Sequence, residues 1–293
     1  MGKLDGKVAI VTGSNGGIGR AVAVAFAAEG ARVVVNGRRP QPAEETAAII
    51  RSYGGEALPM PGDVATPAFA EELANSAVNK WGTLDILVNN AAISGPIAPI
   101  GSDDLDDWME TLRVNVFGLY AMTRAAAAVM QKAGRGKIID VSSGANRGTA
   151  GDLLPYRVSK AAVLRLSTAA AEQLHKFGVE INTVDVFSAT PMVYHLATLT
   201  GQDPVLAERM KRRTQAGEPT AEDNAGIFVW LASPASDGLY ARNFAWNMNT
   251  ADLDRVKPRL MADPRALRIE MVPFDGIGLS DAARAYHDRL RAN

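Results

Sequence analysis

Short runs rich in Val, Ile and Leu alternate along the chain with longer stretches in which apolar residues recur every three or four positions. The first pattern suits strands and the second amphipathic helices. Strands are predicted at Lys7–Thr12, Arg32–Asn36, Ala57–Met60, Leu84–Asn89, Lys137–Ser142, Val179–Val184 and Asn243–Asn247. Helices are predicted near Gly17–Glu29, Pro42–Tyr53, Pro67–Trp81, Leu105–Gln131, Pro155–Phe177 and Ala221–Ala232. Several strands are nearly continuous in β-branched and aliphatic residues, as strands covered on both faces must be. Right-handed crossovers wind such a series into a doubly wound parallel sheet flanked by helices, so the expected fold class is α/β.

The rhythm weakens after Thr190. Residues Thr190–Thr220 read as a helical insertion, either a lid over a substrate site or simple helical packing. Residues 1–250 are expected to form one domain. The remainder, 251–293, mixes charges of both signs with Leu, Ile, Val and Phe, and reads as an extension packed on the core or on a neighbouring subunit.

Composition narrows the chemistry. The chain has 293 residues, 31 basic and 32 acidic, with 47% hydrophobic content, which excludes a disordered chain and is ample for a core. Near-neutral charge leaves no basic field for nucleic acid, and Lys211-Arg212-Arg213 is only a short basic run. Without cysteine there are no disulfides, thiolate nucleophiles or Cys-held metals. His175, His195 and His287 are too scattered for a histidine metal site, so no metal is expected. Met1–Lys7 lacks the features of a secretory signal, and apolar runs such as Ala21–Ala28 fall short of the ~18 residues that span a bilayer. A cytoplasmic location without a membrane partner is expected.

The first strand leads into Thr12-Gly13-Ser14-Asn15-Gly16-Gly17-Ile18-Gly19 and then an Ala-rich helix. In that context glycines permit a tight turn and close approach of a pyrophosphate to backbone N–H groups, while the helix N-terminus attracts the negative charge. This is a Rossmann-type dinucleotide turn, or else a Gly-rich turn that solves only a backbone problem; no Lys-Ser/Thr pair follows to make it a P-loop. At the end of the second strand, Arg38 and Arg39 occupy the place where an acidic residue would select NAD. Two arginines favour the 2′-phosphate of NADP(H) through charge-assisted bonds, with NAD(H) the alternative and a solvated Arg pair the bland reading.

Tyr156-Arg157-Val158-Ser159-Lys160 places a phenol and an ammonium four residues apart, on one helix face. An unperturbed phenol has a pKa of about 10, and a nearby ammonium lowers it, which makes the pair a candidate proton donor and acceptor. The strand ending at Val141 would deliver Ser143, 13 residues before Tyr156, to the carboxyl edge of the sheet.

These elements together resemble the classical short-chain dehydrogenases/reductases. The TGSNGGIG turn is similar to that family's Thr-Gly-x-x-x-Gly-x-Gly, Asn89-Asn90-Ala91-Ala92 to its Asn-Asn-Ala-Gly, Asn115-Val116-Phe117-Gly118 to its Asn-bearing helix, and Tyr156 to Lys160 to its Tyr-x-x-x-Lys. The match runs from about Lys7 to Thr190, and more loosely to Asn247. The resemblance implies an NADP(H)-dependent oxidoreductase interconverting a ketone or aldehyde and an alcohol. Tyr156 would act as general acid or base, Ser143 would hydrogen-bond the reacting oxygen, Lys160 would lower the tyrosine pKa and hold the nicotinamide ribose, and Asn115 would anchor a water in the proton relay. Gly13, Ser14, Asn15, Gly17, Ile18 and Gly19 would cradle the cofactor, Asp63 and Val64 would flank the adenine, Asn89 and Ala91 would line the cleft, and Thr190 would meet the nicotinamide end. It also implies a homotetramer or homodimer joined through the helices near Leu105–Gln131 and Pro155–Phe177.

The chain departs from the family pattern after the sixth strand, where Val186-Phe187 replaces Pro-Gly and Thr190 follows by three residues rather than four. A non-catalytic nucleotide-binding or regulatory protein on the same fold is the alternative this departure leaves. Substrate-pocket candidates are Ile93, Ile97, Leu153, Leu154, Met192, Tyr194 and Leu199, with Arg147, Asp152 and His195 as polar neighbours. Their balance favours a mainly apolar ketone or secondary alcohol as the small-molecule partner.

Overall fold

Among residues 2–144, 153–186, 219–263 and 266–268, which the computed structural model describes, seven strands pair in parallel in the order β3-β2-β1-β4-β5-β6-β7. They are β1 (Val8–Val11), β2 (Arg32–Gly37), β3 (Ala57–Pro61), β4 (Ile86–Asn89), β5 (Gly136–Ser143), β6 (Val179–Val186) and β7 (Asn243–Ala245). The helices between them are α1 (Gly17–Ala28), α2 (Pro40–Ser52), α3 (Pro67–Trp81), α4 (Leu105–Leu112), α5 (Leu119–Ala133), α6 (Leu154–Leu174), α7 (Ala225–Ala232) and α8 (Thr250–Ala262). The winding reverses direction between β1 and β4, and a crevice opens at the carboxyl ends of such strands.

Alternation along each strand explains why whole runs are apolar. Val8, Ile10, Val34, Leu87, Ile138 and Ile181 point to one face, against Leu73 of α3, Met122 of α5 and Ala171 of α6. Ala9, Val11, Val33, Val35, Val88 and Ile139 point to the other, against Phe26 of α1, Ile50 of α2 and Phe228 of α7. With two covered faces, the central strands keep few positions open to water, whereas edge strand β3 ends in the exposed Pro61. The prolines of β3, Pro59 and Pro61, are tolerated because β3 is an edge strand.

The structure corrects several expected boundaries. The single helix expected over Leu105–Gln131 is interrupted by a π-helical stretch, Arg113–Gly118. Hydrophobic periodicity does not register such a widening, because one extra residue per turn over so short a stretch leaves the three-to-four spacing of apolar residues nearly unchanged. The helix from Leu154 ends in a 3-10 turn at His175–Phe177, stopped by Gly178 at φ 75°, where a Cβ would lie 2.2 Å from the Gly134 carbonyl oxygen. The helix expected at Ala221–Ala232 starts with a 3-10 turn, Glu222–Asn224, and β7 ends at Ala245, short of Asn247. Most of the insertion expected over Thr190–Thr220 lies outside the described residues, as does most of the extension beyond Asp263.

The described part of that extension is joined to the core. The Asn249 side chain caps α8 by accepting from the N–H groups of Ala251 and Asp252. Leu253 and Leu260 enter the apolar cluster beneath the sheet, and Trp230 Nε1 donates to Asp254 at 2.6 Å. Arg242, buried beside β7, donates to the carbonyls of Leu260 and Asp263, each at 3.1 Å. Beyond α8, the Leu267 carbonyl accepts from the Asn243 N–H at 2.7 Å, on β7 at the edge of the sheet. Among the described residues no helix is long and apolar enough to cross a membrane. Because Leu253 is a core residue, Leu253→Ala is expected to lower stability by about 2–3 kcal/mol, measured as a shift in the urea unfolding midpoint; a surface appendage would leave the midpoint in place.

Candidate active site

Between β1 and α1 the chain turns in a space too tight for side chains. Gly13 has φ 63°, and a Cβ there would lie 2.8 Å from Ala91 Cα; one on Gly19 would lie 2.4 Å from the Gly13 carbonyl oxygen. Asn90 holds this turn against the end of β4: its Nδ2 donates to the carbonyls of Thr12 at 2.9 Å and Gly13 at 3.1 Å. Thr12 Oγ1 accepts from the backbone N–H groups of Asn90 and Ala91 at 3.0 and 3.1 Å. Ser14 turns inward, its hydroxyl donating to the Val11 carbonyl at 2.7 Å and accepting from the Asn36 N–H at 3.0 Å. Ile18 is buried in the core as a buttress. Gly16 begins α1 without a side-chain cap, and a Cβ at Gly16 would meet nothing within 4 Å. Open space beside an uncapped helix N-terminus, whose first N–H groups have no intrahelical acceptor, fits the pyrophosphate of a dinucleotide.

Across the crevice β2 ends at Gly37, which the Asn15 side chain covers so closely that a Cβ would lie 2.6 Å from Asn15 Cγ. Arg38 and Arg39 follow, both exposed. The Asp63 carboxylate accepts from the Ala65 N–H at 2.9 Å and from Arg113 Nη2 at 2.7 Å, and Arg113 also binds Glu110. Burial pushes the Asp63 carboxyl up, but the bonds from Ala65 and Arg113, with the charges of Arg113 and Arg38, outweigh it and hold the group below its ordinary value. Val64 is buried beside Gly118, where a Cβ would come within 3.1 Å of it.

Asn89 differs from expectation. Its side chain does not face the crevice: it is buried under α5, with Nδ2 donating to Thr123 Oγ1 at 3.0 Å and to Asp140 Oδ1 at 2.8 Å. Strand alternation is the reason, since the next residue, Asn90, is the one turned toward the Gly-rich turn. Ala91 lies against that turn, its Cα 2.8 Å from where a Cβ on Gly13 would be.

On the other side of the crevice, β5 delivers Ser143 and α6 delivers Tyr156, Ser159 and Lys160. Ser143 and Tyr156 share a side-chain hydrogen bond. Lys160 is buried; its Nζ lies 5.7 Å from the Tyr156 ring centroid and donates to the Val141 carbonyl at 2.8 Å. Asn115, in the π-helical stretch, pairs with the Ile93 backbone in both directions at 2.8 Å, and its Nδ2 reaches Ser159 Oγ at 3.0 Å. Ser159 in turn donates to the Tyr156 carbonyl at 2.6 Å. Asn115 thereby ties the wall after β4 to the helical turn that bears Tyr156. Sequence reading missed Asn90, Arg113, Ser159 and Asp140; a polar residue beside a recognised motif is the one signal that marks Asn90 and Ser159.

The electrostatics also correct an expectation. Burial raises the Tyr156 phenol above its ordinary value, and the Ser143 hydrogen bond pulls it back only in part. That burial outweighs the lowering expected from Lys160, whose Nζ stands 5.7 Å from the ring centroid. Burial drags Lys160 down to about 8, while Asp140 and Asp185 oppose the drop. Of the pocket candidates, Ile97 and Leu153 are buried and Ile93 and Leu154 partly so. Met192, Tyr194, Leu199, Arg147, Asp152, His195, Phe187 and Thr190 lie outside the described residues.

Comparison with known proteins places this arrangement. A family profile described as short chain dehydrogenase matches residues 7–196. The sorbitol dehydrogenase of Cereibacter sphaeroides is 34% identical over 255 residues, covering 83% of this chain and 96% of that protein. Among solved structures, an NAD+-bound xylitol dehydrogenase superposes with a TM-score of 0.77 at 25% identity, covering 83% of this chain and 98% of its own. A Beutenbergia cavernae structure with NADP bound at low occupancy has a TM-score of 0.74 at 31% identity, covering 83% and 96%.

Proposed function

Because the chain belongs to the short-chain dehydrogenase family, and is an NAD(P)-dependent oxidoreductase acting on alcohol and carbonyl groups, we propose that it prefers NADP(H) and interconverts a small, mainly apolar ketone or aldehyde with its alcohol, using Tyr156 as acid or base. The observation that carries this reading is the Ser143–Tyr156 hydrogen bond with the Lys160 ammonium beside the ring, at the edge of the crevice. A nicotinamide held along the Gly-rich turn supplies or receives the hydride. Gly13, Asn15, Gly17 and Gly19 with the α1 N-terminus would hold its pyrophosphate, Asp63 and Val64 the adenine, and Lys160 the nicotinamide ribose.

Tyr156 carries the proton exchanged with the reacting oxygen. With its pKa raised, the phenol is protonated near neutral pH, the form that gives a proton to a carbonyl oxygen in reduction. Ser143 donates to the same oxygen as negative charge develops there, a stabilisation that is strongest where donors are fixed in advance. The Lys160 charge favours the phenolate that remains after transfer. Asn115 holds Ile93 and Ser159 in place and is the expected anchor of a relay water. Tyr156→Phe is expected to keep cofactor binding and lose turnover by about three orders of magnitude or more, consistent with loss of a general acid; near-normal turnover on ketones would sink the reading.

Arg38 and Arg39 stand ready for a 2′-phosphate, and the Asn15 side chain packs over Gly37 just before them. Calorimetric titration is expected to give NADPH binding at least about tenfold tighter than NADH, equivalent to ~1.4 kcal/mol, with Arg38→Ala abolishing most of the difference. Equal affinities in the unaltered chain would remove the NADP preference.

Exposed Leu105, Met109, Phe117, Tyr120 and Val158 on α4 to α6 support a homo-oligomer, dimer or tetramer, joined through these helices. Sedimentation velocity at micromolar concentration is expected to show it; a monomer would overturn it.

A further inference from the structure

The register of the sheet sets a row of polar side chains across its middle. Asn89 of β4 lies opposite Asp140 of β5, Asp140 opposite Thr183 of β6, and Thr183 opposite Asn243 of β7. Residues paired in this way share a face, and here it is the face covered by α5 and α6. Thr123 of α5 and Ser167 of α6 reach into the row. Asn89 Nδ2 donates to Asp140 Oδ1 at 2.8 Å and Ser167 Oγ donates to Asp140 Oδ2 at 2.6 Å. Thr183 Oγ1 donates to Asn243 Oδ1 at 2.7 Å, and Asn243 Nδ2 to Asp185 Oδ2 at 3.2 Å. All of these side chains are buried, Asp140 completely.

Two residues earlier on the same strands and face, Leu87, Ile138 and Ile181 make an ordinary apolar row. A sheet selected for stability alone has no reason to replace the next row with a carboxylate, because a buried charge is costly unless an opposite charge compensates it. Lys160 offers a charge of that sign. It stands seven residues before Ser167 on α6, two helical turns along one face, and its Nζ is fastened to the carbonyl of Val141, the residue after Asp140. Asp185, opposite Ser142, is the second carboxylate of the group. The titratable groups acting around Lys160 are Asp140 from β5, Asp185 from β6 and Tyr156 from α6 itself. The neighbouring β4, β7 and α5 contribute the neutral Asn89, Asn243 and Thr123 to the row.

We propose that Asp140, seconded by Asp185, is the internal counter-charge that keeps Lys160 an ammonium, a positioning role held by a residue sealed from the crevice. Burial alone drags Lys160 down, and the two carboxylates push it back up, leaving it at about 8. Burial lifts Asp140 to about 6, with the bonds from Ser167 and Asn89 and the charge of Lys160 pulling the other way. With these opposed pulls, removing the carboxylate lets Lys160 lose its proton at lower pH. The consequence for turnover rests on the role given to Lys160 above; the existence of the counter-charge does not.

Asp140→Asn tests it cleanly. The amide keeps the shape, its oxygen still accepts from Asn89, and its Nδ2 can donate to Ser167, whose own proton then stays on the Val163 carbonyl, 2.7 Å away. The measurement is the pH titration of the Lys160 ε-carbon by NMR in the full chain labelled with [ε-13C]lysine, the resonance being identified by its loss in Lys160→Met. The midpoint is expected to fall by about one pH unit or more in Asp140→Asn, as the loss of a buried opposite charge in a low-dielectric interior requires; a midpoint that stays put overturns the proposal. Should Asp140→Asn fail to fold, Asp185→Asn is expected to shift the midpoint in the same direction by less, and no shift there is equally fatal. In an active enzyme the alkaline limb of the carbonyl-reduction profile moves down with the midpoint. A shifted midpoint in a chain that reduces no carbonyl would leave the counter-charge standing and defeat the catalytic reading instead.

Discussion

Where β1 and β4 run side by side at the reversal of the sheet, the chain must leave β1, turn and enter α1 within a space that admits no Cβ at Gly13 or Gly19. Asn90 and Thr12 close that turn onto the end of β4 with four hydrogen bonds between side chain and backbone. The rest of the site takes its coordinates from this contact. It sets the direction of α1 and leaves the helix N-terminus open. It also fixes the wall from Ala91 to Ile93, to which Asn115 then attaches the turn of α6 bearing Tyr156.

Helix α6 is the second organiser, and it faces two ways. Toward the crevice it presents Tyr156 to Ser143; toward the sheet it presents Lys160 and Ser167 to the polar row. One rigid element therefore carries both the phenol proposed to exchange the proton and the buried lysine beside its ring. That economy has a cost. The row across β4 to β7 gives up apolar burial, and among the described residues the Asn89 side-chain oxygen, Oδ1, has no hydrogen-bond partner. The adjoining Leu87–Ile138–Ile181 row, like most strand positions on both faces, supplies the stabilisation that tolerates it.

The edges of the fold are handled differently. β3 carries two prolines that discourage pairing, whereas β7 meets the backbone of the chain's own extension at Leu267. Docking of α8 through Leu253, Leu260 and the Trp230–Asp254 bond makes its residues part of the same core as α1 and α7.

The strands, their parallel pairing and the Gly-rich turn were legible from residue types, because apolar runs, glycines and helix-start residues act over a few neighbours in the chain. Pro67–Trp81 was read to the residue for that reason. The Tyr156 and Lys160 pair was legible too, since a spacing of four places two residues on one helical face whatever surrounds them. The π-helical interruption at Asn115, the inward turn of Asn89, the Arg113 grip on Asp63 and the placing of α8 were not. Each depends on partners from 18 to more than 50 positions away, brought together only when strands pair and helices settle on them. The charge on Lys160 belongs with these. A lysine in water keeps its proton by default, whereas a buried one depends on the groups that folding brings around it, and Asp140, the counter-charge proposed for it, sits on another element in a run that reads as plain strand.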